Sequence, residues 1–237
     1  MDGFFLIDKP PGITSHDVVA AVRHRLESQV SKLKTRVGHA GTLDPLATGL
    51  LIVGVGTATK KLGTLLKLPK TYEAGLIFGA TSTTDDAEGK IQATGSREQR
   101  TGTMHPTRQD IERALQQLTG EIEQVPPAYS AVKVRGVPAY RRARRGECVA
   151  LPARPVTVFE AQLLSFSYPH ARIRWTVSSG TYIRSLARDL GEILGTGAYL
   201  SALRRTAIGP LAVSAARALD TVTLENLQPL DNLLRGC

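Results

Sequence analysis

The sequence contains few cysteines and few aromatic residues. Its 237 residues include two cysteines, Cys148 and Cys237, and aromatic side chains account for 5% of the chain. Two cysteines without a CxxC pair cannot form the disulfide framework of a small secreted domain. No apolar run approaches the roughly 18 to 20 residues that a membrane-spanning helix needs. We therefore expect a cytoplasmic protein that does not enter a membrane.

Several common catalytic and cofactor-binding motifs are also absent. The segment 54–60, GVGTATK, lacks the glycine spacing of a phosphate-binding loop, and no GxGxxG follows a predicted strand. The five histidines show no HExxH or other zinc-ligand spacing, and no GxSxG nucleophile motif occurs. We expect neither a metal nor a cofactor, so that catalysis would depend on carboxylates, hydroxyls, aromatic rings and arginines.

The charge balance is basic, and part of the excess is concentrated in one segment. Lys and Arg number 30 against 21 Asp and Glu, which gives a formal net charge of +9. Between Lys133 and Arg154 lie seven basic residues and a single acid, Glu147. Such a cluster is compatible with a solvated loop or with a surface that binds a polyanion, and composition alone does not separate the two.

Hydrophobic periodicity predicts strands and helices that do not alternate strictly. Helices are predicted after Thr14, after Thr107 and from about Tyr182 to Leu194. Thr14, with Asp17 three residues on, is predicted to cap the first helix, which places Val18, Val22 and Leu26 on one face.

The predicted strands are 50–55, 72–78, 155–166 and 171–178. In the last of them Ile173, Trp175 and Val177 alternate with Arg172 and Arg174, the period-two pattern of a half-buried strand. The segments 37–45, 81–89 and 126–154 are predicted to be irregular. The last helix would bury Ile183, Leu186, Leu190 and Ile193. This order favours one continuous α+β domain, a sheet with helices packed on it.

The segment 38–49, GHAGTLDPLATG, is the best candidate for a functional loop. Its three glycines permit tight turns and close approach of the backbone to a ligand. Pro45 restricts Asp44 to extended conformations. The apolar strand that follows would place Asp44 at the edge of the core, where a carboxylate must be paired or hydrogen-bonded. Taken alone, the pattern favours a structural turn that Asp44 caps.

This segment resembles the catalytic-loop motif of the TruB family of pseudouridine synthases, which isomerise a uridine in the T loop of tRNA. Five further segments resemble other motifs of that family, in the family's order between residue 3 and about residue 210. They are DKPPGITS at 8–15, KTY at 70–72, PPAYSAVK at 126–133 followed by Ala139 and Tyr140, SGTYIRSLARDLG at 179–191 and LRRTAIGP at 203–210. Ordered matches of this kind do not arise from composition alone.

The resemblance implies a pseudouridine-synthase-like α+β fold. The expected sheet is mixed, largely antiparallel and flanked by helices, and an RNA-clasping insertion is expected at about 126–154. The catalytic domain would span 1–210. Bacterial members of the family usually carry a small RNA-binding domain after it. Because only 211–237 follow here, we expect a short C-terminal extension in place of that full domain, either natural to this lineage or the result of truncation.

The resemblance also implies roles for individual residues. Asp44 matches the family's nucleophile, which either attacks C6 of the base or supports elimination at the sugar. Tyr72 matches the tyrosine that stacks on the uracil and assists proton transfer at C5, and Arg184 the arginine that pairs with the nucleophile. The implied substrate contacts are His39, which enters the space left by the flipped nucleotide, Tyr182 and Leu203 beside the uridine, and Lys9 in support.

Each of these residues also has an ordinary structural interpretation. Tyrosine and leucine side chains in apolar elements commonly lie in the core. By pattern alone, Arg184 is a surface arginine on an amphipathic helix. A single loop histidine, or a lysine before proline, carries little information on its own.

We therefore expect an isomerase that converts uridine 55 of tRNA to pseudouridine without a cofactor. The uridine must be flipped out at a cost of roughly a few kcal/mol, and aromatic stacking of about 1–3 kcal/mol per base offsets much of that. The basic residues expected to contact the RNA backbone are Arg141, Arg142, Arg144 and Arg145. The expected partner is the T stem-loop of tRNA, bound by a monomer.

Two other functions are compatible with the sequence. The first is a guide-RNA-dependent relative that modifies ribosomal RNA and shares the TLDP loop, although such relatives normally have longer flanking segments. The second is an RNA-folding chaperone that binds and releases tRNA, although the presence of Asp44, Tyr72 and Arg184 argues against loss of catalysis. The sequence also has Ser178 and Ser179 before Gly180, where the family often has a lysine, so one phosphate contact is expected to be missing.

Overall fold

The computed structural model describes residues 2–29, 35–94 and 105–230, which form strands and helices in a mixed order. The strands are β1 (Gly3–Lys9), β2 (Val37–His39), β3 (Thr48–Val55), β4 (Lys70–Phe78), β5 (Ala80–Ser82), β6 (Ile91–Ala93), β7 (Gly120–Gln124), β8 (Lys133–Val134), β9 (Val137–Pro138), β10 (Arg154–Ser167), β11 (His170–Val177), β12 (Ala198–Ile208), β13 (Leu211–Ala212) and β14 (Arg217–Ala218). The helices are α1 (Ser15–Gln29), α2 (Leu62–Lys67), α3 (Arg108–Gln117), α4 (Ala139–Ala143) and α5 (Ile183–Ile193).

Contacts within the chain define two compact units. The first comprises Met1–Tyr72 and Leu203–Cys237, and the second comprises Glu73–Ala202. In the first unit the strand order is β14-β1-β3-β12-β4, with β2 paired to β3 and β13 paired to β12; in the second unit it is β12-β4-β11-β10-β7. Strands β4 and β12 therefore contribute residues to both units. The pairs β1–β14 and β3–β12 are parallel, whereas pairs such as β1–β3 and β10–β11 are antiparallel.

The sheet of the first unit is buried on both faces, which explains why its central strands consist of continuous apolar runs. Successive residues of a strand point to opposite faces. One face contributes Phe4, Leu6, Leu50 and Ile52 to a cluster with Ala58 and Leu65. The other contributes Phe5, Ile7, Leu51 and Val53 to a cluster with Val18, Val22 and Leu26 of α1. This second cluster confirms the predicted inward face of the first helix.

The start of α1 follows the predicted capping pattern. The N–H and hydroxyl of Thr14 donate to Oδ2 of Asp17 at 2.8 and 2.7 Å, and the Asp17 N–H donates to the Thr14 hydroxyl at 3.1 Å. These reciprocal bonds satisfy backbone groups that have no partner within the helix. Helix α3 begins in the same way, with Thr107 and Asp110 as its capping pair.

The sheet of the second unit has one buried face and one polar face. On β11, Ile173, Trp175 and Val177 are almost completely buried, which confirms the predicted period-two alternation. Helix α3 packs against β10 and α5. On the polar face Glu73 forms ion pairs with Arg172 at 3.0 Å and with Arg174 at 2.7 Å. The predicted α+β class, with a largely antiparallel sheet and flanking helices, is confirmed.

Several local predictions were wrong. Residues 37–39, predicted to be loop, form β2, because the backbone pairs with Val53–Val55. Ile193 is 42% exposed although it was assigned to the buried stripe of α5, whereas Arg184 is only 5% exposed although it was placed away from that stripe. Strand β12 was not predicted, because its arginines and threonines obscure the apolar alternation. Within the described ranges, no helix is both long and apolar enough to cross a membrane.

Gly49 lies where β3 and β12 pair in parallel, opposite Arg205, and alanine should not fit there. Gly49 has a φ of +99°, and a Cβ would lie 2.3 Å from the Arg205 carbonyl oxygen. We expect Gly49→Ala to lower the free energy of unfolding by about 2–4 kcal/mol, measured by urea denaturation. Gly12→Ala is the control, because Gly12 has a φ of +83° but open space around its Cβ position. Equal losses in the two variants would contradict the steric explanation.

Candidate functional site

The loop that carries Asp44 is fixed by hydrogen bonds on both sides of that residue. Leu43 donates its N–H to the hydroxyl of buried Ser15 at 2.8 Å, and the Leu43 carbonyl lies 3.2 Å from the same hydroxyl. The Asp44 carbonyl accepts from the Ala47 N–H at 3.0 Å, which closes a turn. The side chain of Asp44 is half-buried. A half-buried aspartate on a fixed backbone suits a group that must react in one defined position.

Lys9 connects the loop after β1 to the residue that follows Asp44. Its side chain is completely buried, and its Nζ donates to the carbonyls of Pro10 at 2.8 Å, Ile13 at 2.6 Å and Pro45 at 3.2 Å. The Gly12 N–H donates to the same Pro45 carbonyl at 2.8 Å. Because a buried ammonium is costly without hydrogen bonds, these three contacts hold the two loops together.

Tyr72 and Lys70 lie at the start of β4, and both are buried. The guanidinium carbon of Arg205 lies 6.0 Å from the centroid of the Tyr72 ring. Nζ of Lys70 donates to the carbonyl of Leu68 at 2.6 Å and also to that of Leu66. Burial, and secondarily the charge of Arg205, lower the pKa of Lys70 from 10.5 to about 8.

His39 and Leu203 complete the predicted residues of the first unit. His39 ends β2 and is half-buried. Burial lowers the pKa of its imidazole, and the charges of Arg205 and His16 lower it further, so that the neutral form predominates at pH 7. Leu203 is buried, and its carbonyl accepts from the Thr48 hydroxyl at 3.4 Å. The first unit therefore contains five predicted site residues: Lys9, His39, Asp44, Tyr72 and Leu203.

The other two predicted active-site residues, Tyr182 and Arg184, belong to the second unit. Tyr182 is the N-cap residue of α5. The completely buried side chain of Gln124 accepts from the Tyr182 N–H at 2.8 Å and donates to its carbonyl at 3.1 Å. These two bonds fix the backbone at the point where α5 begins, two residues before Arg184.

Arg184 is held by groups from two segments that precede it in the chain. Its Nη1 donates to the Thr84 carbonyl at 3.1 Å and lies 3.5 Å from Oδ2 of Asp86. Its Nη2 donates to the Tyr129 carbonyl at 3.0 Å. Asp86, itself buried, accepts at Oδ1 from the Glu88 N–H at 3.0 Å. Such hydrogen bonds compensate for the burial of a charged pair.

A second arginine of α5 contacts the same loop. Nη1 of Arg188 donates to Asp85 at 3.1 Å, and Nη2 donates to Asp189 at 2.9 Å and to the carbonyl of Val125 at 3.0 Å. Burial raises the pKa of the Asp85 carboxyl, and the charge of Arg188 opposes this shift. Asp85 has a φ of +61°, a conformation that aspartate tolerates better than most residues. The loop and α5 are therefore joined by paired charges.

The predicted RNA-backbone residues lie in and just after α4. Arg141, Arg144 and Arg145 are exposed. The guanidinium carbons of Arg141 and Arg144 lie 6.0 and 5.6 Å from the centroid of the Tyr140 ring. Arg142 forms an ion pair with Glu147 at 2.6 Å. The segment thus combines accessible positive charge with an aromatic ring, an arrangement suited to binding a nucleic-acid backbone.

The sequence patterns did not single out four of the residues described above: Lys70 and Arg205 in the first unit, and Asp86 and Gln124 in the second. Asp86 lies in the polar segment 81–89, whose composition indicated only a loop. Arg205 and Lys70 offered a usable signal, since a basic residue within an apolar strand must find hydrogen-bond partners in the core. Across the described ranges, no group of three or more His, Cys, Asp or Glu residues is arranged to hold a metal ion.

Comparison with known proteins gives consistent matches over nearly the whole chain. A family model described as TruB family pseudouridylate synthase, N-terminal domain, matches residues 28–183, and one described as tRNA pseudouridylate synthase B C-terminal domain matches residues 184–235. Proteins called tRNA pseudouridine synthase B from Thermobifida fusca and Streptomyces coelicolor are 50% and 46% identical to this chain. These alignments cover 94% of this chain and 75% and 73% of the two relatives.

The fold is also found among solved structures. A crystal structure of a Cbf5-Nop10-Gar1 complex matches with a TM-score of 0.68 at 30% identity. The match covers 92% of this chain, and this chain spans 52% of the length of that protein. The sequence resemblance to the TruB family and the expected pseudouridine-synthase fold are therefore confirmed.

The low pKa of Lys70 should make stability depend on pH. Because the folded pKa is about 8 and the unfolded value 10.5, the unfolded chain binds more protons between these limits, and stability should rise with pH in this window. We expect the difference in unfolding free energy between the wild type and Lys70→Met to grow in favour of the wild type from about pH 7.5 to about pH 10. Urea denaturation at both pH values measures it.

Lys67→Met is the matched control, since Lys67 is an exposed lysine on α2 and its loss removes the same charge. A wild-type advantage over Lys70→Met that stays constant across the pH range, or that shrinks with pH, would contradict the pKa assignment.

Proposed function

Because the chain belongs to the TruB family of pseudouridylate synthases, we propose that it converts uridine 55 in the T loop of tRNA to pseudouridine, with Asp44 as the nucleophile. Membership of this family and the names of the relatives show that the chain is an isomerase that makes pseudouridine in tRNA. The target position, base flipping and aspartate catalysis are what this proposal adds. The observation that carries it is the half-buried Asp44 on a loop fixed by Ser15, Gly12 and Lys9.

The proposed chemistry is an isomerisation in which a covalent intermediate divides one difficult step into easier ones. Uracil is detached from C1′, turns and is rejoined through C5, so that nothing is oxidised, reduced or hydrolysed. A carboxylate can form such an intermediate and then leave. Asp44 either attacks C6 of the base or supports elimination at the sugar. In both cases a fixed backbone reduces the loss of freedom on the way to the transition state.

The other residues of the first unit would receive the flipped base. Tyr72 stacks on the uracil and assists proton transfer at C5, and such stacking is worth about 1–3 kcal/mol per base. His39 enters the space that the flipped nucleotide leaves, where its neutral imidazole can pack against bases without the cost of burying a charge. Leu203 lines the uracil pocket, and Lys9 supports the loop of Asp44.

For Tyr182 and Arg184 we propose the roles that the family resemblance implies. Tyr182 lies beside the uridine, and Arg184 supplies positive charge that stabilises the ionised nucleophile. The hydrogen bonds from Gln124 to Tyr182 and the contacts of Arg184 with Asp86 support a fixed geometry for both residues. A side chain that is fixed before the substrate binds costs less to order in the transition state.

The basic segment supports binding of the T stem-loop through phosphate contacts. Arg141, Arg144 and Arg145 are its exposed members, and the charge of Arg142 is balanced by Glu147. We further propose that the protein acts as a monomer in the cytoplasm. The predicted catalytic domain over 1–210, the insertion at about 126–154 and the extension 211–237 stay predictions, and residues 231–237 and with them Cys237 lie outside the described residues.

Two alternatives are less well supported. A guide-dependent function would require a guide RNA in addition to the substrate. The sequence is more similar to the proteins called tRNA pseudouridine synthase B, at 46–50% identity, than to the protein in the Cbf5 complex, at 30%. A folding chaperone would bind tRNA without needing Asp44. Both alternatives are separated from the proposal by assaying the protein with a tRNA transcript and no other component.

We expect Asp44→Asn to abolish modification while leaving RNA binding within about threefold of the wild type, because the amide keeps the shape of the side chain but is a far weaker nucleophile. Tritium release from tRNA transcript labelled at C5 of uridine measures the reaction, and filter binding measures affinity. A transcript with cytidine at position 55 is the matched substrate control.

Each outcome of this experiment decides one part of the proposal. Tritium release by Asp44→Asn at the wild-type rate would remove Asp44 from its role. Release by the wild type from the cytidine-55 transcript would move the target elsewhere. A wild type that binds tRNA but releases no tritium would favour the chaperone or the guide-dependent alternative.

We expect replacement of Arg141, Arg142, Arg144 and Arg145 by glutamine to weaken tRNA binding and to reduce its salt dependence. Each phosphate contact contributes roughly 0.7 to 0.9 to the slope of log affinity against log salt. In the wild type Arg142 is paired with Glu147, so we count three phosphate contacts, and their loss should lower the magnitude of the slope by about 2 to 3. Filter binding at several salt concentrations measures it.

The control neutralises four arginines with acidic partners elsewhere on the surface. These are Arg108, Arg113, Arg172 and Arg174. Both variants lose four positive charges, so a general charge effect would change the two slopes equally. Equal changes, or an unchanged slope in the first variant, would count against the α4 segment as the RNA-binding surface.

A further inference from the structure

Arg205 is a buried cation on β12 that contacts both ends of the Asp44 loop. Its side chain is 1% exposed. Nε donates to the carbonyl of Leu50 at 2.7 Å, and Nη2 donates to the carbonyl of Gly41 at 3.1 Å. Gly41 precedes Asp44 by three residues, and Leu50 follows the loop directly. One guanidinium therefore bridges the start of the loop and its exit into β3.

The same guanidinium faces the ring of Tyr72. The guanidinium carbon lies 6.0 Å from the ring centroid, within the distance at which a cation is attracted to the face of an aromatic ring. Both side chains are buried, so that water does not weaken the attraction. A planar guanidinium can stack on a ring while its edge donates to carbonyls, which an ammonium cannot do.

The backbone of Arg205 contributes a further constraint. Arg205 pairs with Gly49 in the parallel register between β12 and β3, so that its backbone and side chain both act on residues that flank Asp44. Its positive charge also lowers the pKa of His39 and of Lys70. In both residues burial is the larger cause and the charge of Arg205 is the second.

We propose that Arg205 is a positioning residue for pseudouridine formation, which holds the two ends of the Asp44 loop and the ring of Tyr72 in one fixed arrangement. The proposal rests on the function proposed above, in which Asp44 acts on the uracil and Tyr72 stacks on it. Arg205 need not touch the substrate. It sets the distance between the nucleophile and the stacked base, on which the rate of a preorganised reaction depends strongly.

The neighbouring Arg204 provides a matched control. It occupies the adjacent position on β12, but its side chain is 41% exposed and forms an ion pair with Asp8 at 2.7 Å. A substitution at either position removes one arginine from the same strand. Nη1 of Arg204 also lies 3.4 Å from the hydroxyl of Thr48, whereas the contacts with the Gly41 carbonyl and the Tyr72 ring are made by Arg205.

The test is a single-turnover assay with tRNA transcript labelled at C5 of uridine and enzyme in excess. Under these conditions the maximum rate constant does not depend on the fraction of enzyme that is active, whereas the half-saturating enzyme concentration reports binding. We expect Arg205→Met to lower the maximum rate constant by about 10- to 100-fold. We expect the half-saturating concentration to change by less than about threefold, and Arg204→Met to leave both values within about twofold of the wild type.

Arg205→Lys keeps the charge and one possible carbonyl contact, so we expect a partial loss of about 3- to 10-fold in the maximum rate constant. If thermal unfolding shows that Arg205→Met does not fold, the maximum rate constant of Arg205→Lys alone tests the inference. A folded Arg205 variant with the wild-type maximum rate, or one that changes only the half-saturating concentration, would overturn the inference. An inactive wild type would instead overturn the proposed function, which keeps the two failures distinct.

Discussion

Three cations of the first unit, Lys9, Lys70 and Arg205, are buried and donate to backbone carbonyls. A cation without water must be satisfied by acceptors. Lys9 uses carbonyls of two loops, Lys70 uses carbonyls at the end of α2 and just after it, and Arg205 uses one loop carbonyl and that of Leu50 in β3. Removing one of these cations would leave carbonyls unsatisfied as well as create a cavity. The shape of the loops around Asp44 therefore depends on the buried charges of Lys9 and Arg205 as well as on local turns.

In the second unit, buried charged and polar groups are satisfied by ion pairs and by the side-chain amide of Gln124. Arg184 meets Asp86 and two carbonyls, Arg188 meets Asp85 and Asp189, and Gln124 satisfies both backbone groups of Tyr182. The start of α5 is therefore fixed without the usual serine or aspartate cap. In both units the candidate site residues are carried by backbone that other buried polar groups immobilise, which suits a reaction that depends on orientation.

Much of the fold could be predicted from sequence patterns because it depends on periodicity. The Thr14–Asp17 cap, the buried face of α1 and the alternation on β11 follow from local rules, and each is found in the structure. Two of the errors, Arg184 and β12, occur where polar residues are buried. Arg184 was placed on the surface and β12 was missed, because a buried arginine breaks the apolar pattern on which such predictions depend.

The sequence by itself determined the family, the α+β class and the identity of the candidate residues, because ordered motifs and hydrophobic spacing are local properties of the chain. Only the tertiary structure decided how those residues are held. Arg205 lies 164 positions from Gly41, and Arg184 lies 55 from Tyr129, so neither contact has a local signature. Buried cations donate to the carbonyls that the fold brings within hydrogen-bonding distance, and packing between distant parts of the chain determines which carbonyls these are.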